Sequence, residues 1–139
     1  MYNCNMYNFD KKIRVRYAET DQMSYVYYGV YAQYYEVGRV ELLRSLGISY
    51  KTIESMGYAL PVVNLSINYK KPAFYDDKLT LKTSILKIPT SKITFYHKIY
   101  NEANHLINTG EVTLAFVNKI TGRVCSAPDF ILDKLQTKL

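Results

Sequence analysis

The chain has 139 residues, 48% of them hydrophobic, which is too rich in core-forming side chains for a disordered sequence. A chain of this length buries roughly two-thirds of the surface that its unfolded form exposes, so a single domain without disulfide or metal staples is expected. Eighteen Lys and Arg against twelve Asp and Glu leave a net charge of +6, which favours an anionic partner without naming one.

Residues 1–11 read as a polar leader and residues 12–139 as one domain. Ile13, Val15 and Tyr17 alternate with Arg14 and Arg16, the period of a strand with one buried face. Ala18 to Tyr25 has the composition of a loop whose side chains suit a helix entrance. A long helix is predicted from about Tyr28 or Val30 to Leu46, with Tyr31, Tyr34, Tyr35, Gly38, Leu42 and Leu46 on one face and Gly47 as its stop. Ser49 to Met56 adds a short helical turn. Period two follows: Val63, Leu65, Ile67 and Tyr69; then Leu79, Leu81, Thr83 and Ile85; then Ile93, Phe95, His97 and Ile99; then Val112, Leu114 and Phe116. Thr121-Gly122 suggests a hairpin, and Pro128-Asp129 opens a short terminal helix. The economical architecture is α+β: about five antiparallel strands and one long helix to cover them. One helix cannot also cover the sheet's edges, so pairing with a second copy is expected.

Several chemistries are excluded by what is missing. Cys4 and Cys125 lie near opposite ends outside any C-x-x-C pair, which suits a reducing compartment. With His97 and His105 the only histidines, a zinc site built from several His or Cys ligands is not expected, nor is any other metal or cofactor. His97 is expected hydrogen-bonded within a sheet and His105 in a turn. There is no phosphate-cradling glycine loop and no G-x-S-x-G elbow. Met1 to Lys12 lacks the apolar run of a signal peptide and no apolar stretch reaches membrane-spanning length, so a cytoplasmic, soluble protein with no membrane insertion is expected. Lys and Arg are too scattered to form a nucleic-acid stripe.

The segment from Arg14 to Arg39, Arg-Val-Arg-Tyr-Ala-Glu-Thr-Asp21-Gln-Met-Ser-Tyr-Val-Tyr-Tyr28-Gly-Val-Tyr-Ala-Gln-Tyr-Tyr-Glu36-Val-Gly-Arg, carries the most information. It resembles the hotdog-fold acyl-CoA thioesterases of the 4-hydroxybenzoyl-CoA and Tol-Pal-associated type. Those proteins have a strand ending in Tyr-x-[Glu/Asp]-[Thr/Cys]-Asp, a short loop, and a Val-x-[Tyr/His]-x-Asn-Tyr stretch opening the central helix. The likeness extends through Asn68 to Asp77 and Phe116 to Pro128, and spans residues 12–135. It implies a hotdog fold and hydrolysis of an acyl-CoA or acyl-carrier-protein thioester by a homodimer or a dimer-of-dimers tetramer.

Matched position by position, the resemblance makes Asp21 the catalytic carboxylate, as nucleophile or as general base for water. It makes the backbone amide of Tyr28 the oxyanion donor. Glu36 falls on an acidic family position and is a supporting residue. Val30 stands where the family has Asn, so any hydrogen bond from that amide is lost. For the phosphates of coenzyme A the candidates are Lys70 and Lys71, together with Thr90, Ser91 and Lys92. Without the resemblance, Asp21 reads as a helix cap or loop residue and the lysines as solubilising charge. Two other readings follow from the same residues: a non-catalytic acyl-binding module, motivated by Val30, and a nucleic-acid binder, motivated by charge and tyrosine alone.

Overall fold

The structure, a computed structural model, describes residues 7–137. Its elements are β1 (Tyr7–Arg14), α1 (Val30–Ser45), α2 (Tyr50–Ser55), β2 (Tyr58–Ala59), β3 (Val62–Tyr69), β4 (Lys78–Ile85), β5 (Lys92–Tyr100), β6 (Leu106–Ala115), β7 (Val117–Asn118) and α3 (Asp129–Gln136). Five strands form one antiparallel sheet in the order β1-β4-β5-β6-β3, and β2 pairs with β7. The sheet lies against α1, the hotdog arrangement of the resemblance.

The inner rows follow the alternation of the sequence. Leu79, Leu81, Thr83 and Ile85 of β4 are buried, as are Ile93, Phe95, His97 and Ile99 of β5 and Val112 and Leu114 of β6. They meet Val30, Tyr31, Tyr34, Tyr35, Leu42 and Leu43 of α1 in one core. Burying such side chains contributes roughly 1.5–3 kcal/mol each before the entropy of ordering them is set against it. Ser49 caps α2, its hydroxyl accepting from the Thr52 amide at 3.1 Å. Gly47 adopts the positive φ of +80° that ends α1, as its position predicts.

Two expectations shift. The first strand starts at Tyr7 and ends at Arg14, so residues 7–11 of the expected leader belong to the sheet and Tyr17 lies in a single 3-10 turn, Tyr17–Glu19. The polar residues of that segment form the outward row of an edge strand, where Lys82 Nζ donates to Asp10 Oδ2 at 2.9 Å and Ser84 Oγ donates to Asn8 Oδ1 at 2.6 Å. Residues 1–6 of the leader, with Cys4, lie outside the described residues. The second shift is at β3. Its expected inner row is exposed except for the half-buried Ile67: Leu65 is 44% exposed and Tyr69 51%. Among the described residues the strand pairs in the sheet only with β6, and α1 lies chiefly over β1, β4 and β5, reaching β3 through the Tyr31–Tyr69 ring contact, so most of that row has no described element over it.

Two glycines set the distance between helix and sheet. A Cβ on Gly38 of α1 would collide with Thr83 Oγ1, and one on Gly110 of β6 would come within 2.5 Å of both the Ser66 carbonyl and the Tyr35 ring. In the space so left, the Tyr35 ring stacks on His97 with centroids 4.3 Å apart, and its hydroxyl donates to Asn108 Oδ1 at 2.6 Å. His97 Nδ1 lies 3.1 Å from Thr83 Oγ1, fulfilling the expectation of a hydrogen-bonded sheet histidine, and His105 lies in the β5–β6 turn, its amide donating to Asn101 Oδ1.

Burial, with the nearby Arg39 guanidinium adding to it, pushes the His97 imidazole down to about 3 from 6.5. The folded protein therefore holds His97 neutral while the unfolded chain protonates it below pH 6.5. Its stabilising contribution is complete above that pH and falls progressively as pH drops towards 3. Urea unfolding at pH 7 and pH 4.5 should show a loss of about 2–3 kcal/mol from this group in the wild type, whereas His97→Phe, which keeps the stacked ring, should show a shallower pH dependence. Equal slopes would contradict a buried neutral imidazole.

Candidate active site

The chain between β1 and α1 is closed at its base and anchored at several points. Thr20 and Val26 form an antiparallel bridge, as do Tyr25 and Phe74. The Asp21 amide donates to Tyr25 O at 3.0 Å and the Ser24 amide to Asp21 O at 2.9 Å, with Ser24 at φ +70°. Asp21 is half-buried; its Oδ1 accepts from the Met23 amide at 2.8 Å, while Oδ2 takes no hydrogen bond among the described residues. A turn of this type fixes the carboxylate's direction and leaves one oxygen for other chemistry. Asp21 is thus no helix cap: the N-cap of α1 is Gly29, which offers no side chain.

The entrance to α1 is correspondingly open. The amides of Val26 and Tyr27 donate to Ala73 O and Glu19 O, and that of Val30 to Tyr27 O. Those of Tyr28 and Gly29 have no acceptor among the described residues. The first turn of the helix carries no acidic residue, so the positive end of its dipole is not neutralised from within.

A cleft of about 380 Å³ brings these groups together, lined by Asp21, Tyr25, Val26, Tyr28, Tyr31, Tyr69, Lys70, Lys71 and Pro72. Four of the sequence-predicted residues, Asp21, Tyr28, Lys70 and Lys71, therefore share one site although they lie up to fifty positions apart. The others do not join them. Thr90, Ser91 and Lys92 line a separate groove of about 410 Å³ at the β4–β5 turn with Lys87, Ile88 and Pro89. Glu36 is exposed on α1 and lines no part of the cleft. Val30 is buried in the core, where an amide side chain would need a partner, so the departure from the family's Asn is accommodated by packing.

Several residues of the site escaped the sequence. Tyr69, at the end of β3, donates its hydroxyl to the Tyr28 carbonyl at 3.1 Å and fixes that peptide plane from across the cleft. Tyr31 forms the wall between Tyr34 and Tyr69, its ring centroids 5.7 and 5.8 Å from theirs, and burial pushes its phenol up to about 12. Glu19 is buried, and its carboxylate accepts from the Arg16 amide, the Arg16 guanidinium and the Tyr34 hydroxyl. Burial alone would raise the Glu19 carboxyl, but those donors outweigh it and hold it below its ordinary 4.5. Only its place three residues after Arg16, from which a Glu can reach back to accept from the amide that starts the turn, hinted at it.

A carboxylate beside uncommitted helix-terminal amides, in an aromatic cleft rimmed by lysines, is an arrangement for attack on a carbonyl carbon with stabilisation of the resulting oxyanion. Comparison with known proteins gives the family. Residues 15–135 match the model of the thioesterase-like superfamily, and the chain belongs to that family of thioester hydrolases. Over 96 residues it is 43% identical to the Bacillus subtilis protein named putative acyl-CoA thioesterase YneP, covering 69% of this chain and 70% of that one. The acyl-CoA thioester hydrolase YbgC of Escherichia coli is 30% identical over 120 residues, 86% of this chain and 90% of its own. Among solved structures, the DHNA-CoA thioesterase of Staphylococcus aureus superposes with a TM-score of 0.87 at 33% identity, covering 94% of this chain and 89% of that one. Among the described residues no helix is long and apolar enough to cross a membrane.

Proposed function

We propose that this thioester hydrolase cleaves acyl-CoA, releasing a carboxylic acid and the coenzyme A thiol, with Asp21 driving the attack and the Tyr28 amide holding the oxyanion. The observation that carries the reading is the cleft in which a half-free Asp21 carboxylate meets the uncapped start of α1. The names of the relatives support coenzyme A as the carrier of the acyl group. Two routes use the same groups. Asp21 attacks the carbonyl, expelling the thiolate and leaving a mixed anhydride that water opens, or it takes a proton from the water that attacks directly. In both, negative charge collects on the carbonyl oxygen, where a backbone donor and the helix dipole lower the barrier. The non-catalytic alternative rested on Val30; the relatives named as thioesterases and thioester hydrolases support hydrolysis instead.

Lys70 and Lys71 stand at the rim, where two ammonium groups suit the phosphates of coenzyme A or the acidic face of an acyl-carrier protein. We assign them the phosphates ahead of Thr90, Ser91 and Lys92, whose groove is separate within one chain. The exposed apolar row of β3 supports a homodimer in which the free β3 edge pairs with a second copy, and two such dimers can stack as a tetramer.

Asp21→Asn keeps the Oδ1 acceptor of the turn and removes the charge. It should fold as the wild type does while turnover on a panel of short, long and aromatic acyl-CoAs falls about a hundred- to ten-thousandfold; near-normal hydrolysis would overturn the assignment. The double replacement of Lys70 and Lys71 by Ala should raise KM several-fold with kcat retained, and if only the Thr90/Ser91/Lys92 replacements raise KM, the phosphates belong in the other groove. Light scattering should give at least two chains per particle. Leu65→Lys, which sets like charges against each other across the paired edges, should shift it to one chain, and a monomeric wild type would exclude the dimer.

A further inference from the structure

Glu19 lies two residues before Asp21, yet its carboxylate points away from the cleft and into a set of donors. Oε1 accepts from the Arg16 amide at 2.8 Å and from the Tyr34 hydroxyl at 2.7 Å; Oε2 accepts from Arg16 Nε and Nη2, both at 3.1 Å. Its backbone is equally committed. The Glu19 amide donates to Arg16 O at 3.0 Å, and the Glu19 carbonyl accepts from the Tyr27 amide at 2.9 Å. One residue therefore ties three pieces of backbone together: the chain leaving β1, the far end of the loop immediately before Tyr28, and the buried face of α1 one turn into the helix.

We infer that Glu19 is a positioning residue for thioester hydrolysis, holding the Asp21 carboxylate in register with the Tyr28 amide by clamping both ends of the loop that carries them onto Tyr34 of α1. The inference rests on the assignment of Asp21 and Tyr28 made above. Its physical basis is that Asp21 and Tyr28 are placed by different anchors. The Asp21 carboxylate follows the turn 21–25, whereas the Tyr28 amide follows the turn that opens the helix, where the Tyr27 carbonyl of the same peptide accepts from the Val30 amide. Without a link between the two, each could shift independently, and a displacement of about 1 Å between reacting groups is enough to cost on the order of a hundredfold in rate. The Thr20–Val26 bridge closes the loop on itself, and Glu19 fastens it to the helix.

The clamp needs a carboxylate rather than any polar side chain. The three Arg16 N–H groups that meet Glu19's side chain can only donate, the Tyr34 hydroxyl donates to it as well, and a carboxylate is acceptor-only. In Glu19→Gln the shape is kept, but the new NH₂ must face either the Arg16 guanidinium or the Arg16 backbone amide, donor against donor in both orientations. The variant therefore loosens the loop without deleting volume from a buried site.

The test is steady-state hydrolysis by the full chain of whichever acyl-CoA the wild type turns over fastest, measured for Glu19→Gln, Asp21→Asn and the double variant, with thermal unfolding of each. Glu19→Gln is expected to lower kcat about ten- to a hundredfold at a KM within twofold of wild type. In the Asp21→Asn background the same change is expected to cost less than threefold, because misplacing a carboxylate already removed has no further effect. A residue that only stabilised the fold would instead leave kcat of the folded fraction unchanged, or lower both backgrounds by the same factor, and either result overturns the inference. If Glu19→Gln does not fold, Tyr34→Phe, which removes one of the four donors to the Glu19 carboxylate, carries the same comparison with a several-fold loss in kcat, and wild-type kcat in that variant overturns it. A wild-type kcat for Asp21→Asn overturns the underlying assignment and this inference with it, whereas an inactive Asp21→Asn beside a fully active Glu19→Gln overturns the positioning role alone.

Discussion

The close approach of α1 to the sheet is the constraint from which the remaining geometry follows. Gly38 and Gly110 remove the two Cβ atoms that would hold helix and strands apart, and the stacked Tyr35 and His97 rings fill the gap with Thr83 and Asn108 as polar partners. Close-packed interiors do not deform continuously, so this contact sets the helix at one height and rotation over the strands. The face that carries Tyr34 and Tyr31 towards the β1–α1 loop and the cleft is determined by the same rotation. A core of aliphatic side chains alone would bury as much area but would not select that one arrangement as strictly.

From that fixed helix the site is assembled by backbone rather than by side-chain chemistry. The uncapped first turn of α1 exists because Gly29 occupies the N-cap and Val30 turns into the core. The loop before it is held by amide-to-carbonyl bonds to Ala73 and Glu19. Among the described residues the one carboxylate that lines the cleft is Asp21, whose turn with Met23 directs it. The tyrosines supply walls: Tyr31 is buried and held neutral well above the working pH, Tyr69 orients the Tyr28 peptide, and Tyr25 packs edge-on against Phe74. Six of the chain's fifteen tyrosines fall between residues 25 and 35; Tyr25, Tyr28 and Tyr31 of these line the cleft, while Tyr34 and Tyr35 donate their hydroxyls to Glu19 and Asn108 behind it.

The open edge of β3 belongs to the same logic. With α1 placed over β1, β4 and β5, the strand farthest from β1 is left with its apolar row in solvent. Tyr69 and Lys70, at the end of that strand and the turn after it, are also part of the cleft, so whatever covers the edge lies beside the site.

The sequence by itself determined the element types and the buried faces. Period two in β4, β5 and β6 and the helical spacing of Tyr31, Tyr34, Tyr35, Gly38 and Leu42 are local properties that burial then rewards. The motif around Asp21 and Tyr28 was legible because both residues lie on one continuous stretch. Strand ends were not: the polar residues 7–11 read as a leader because an edge strand with an outward polar row looks like a loop until Lys82 and Ser84 stand opposite it. Nor could spacing show that Lys70, Lys71 and Tyr69 meet Asp21, that Thr90, Ser91 and Lys92 do not, or that Glu19 faces Tyr34. Those relations depend on strand order and on the rotation of one helix, which only the folded chain, packed around two missing Cβ atoms, decides.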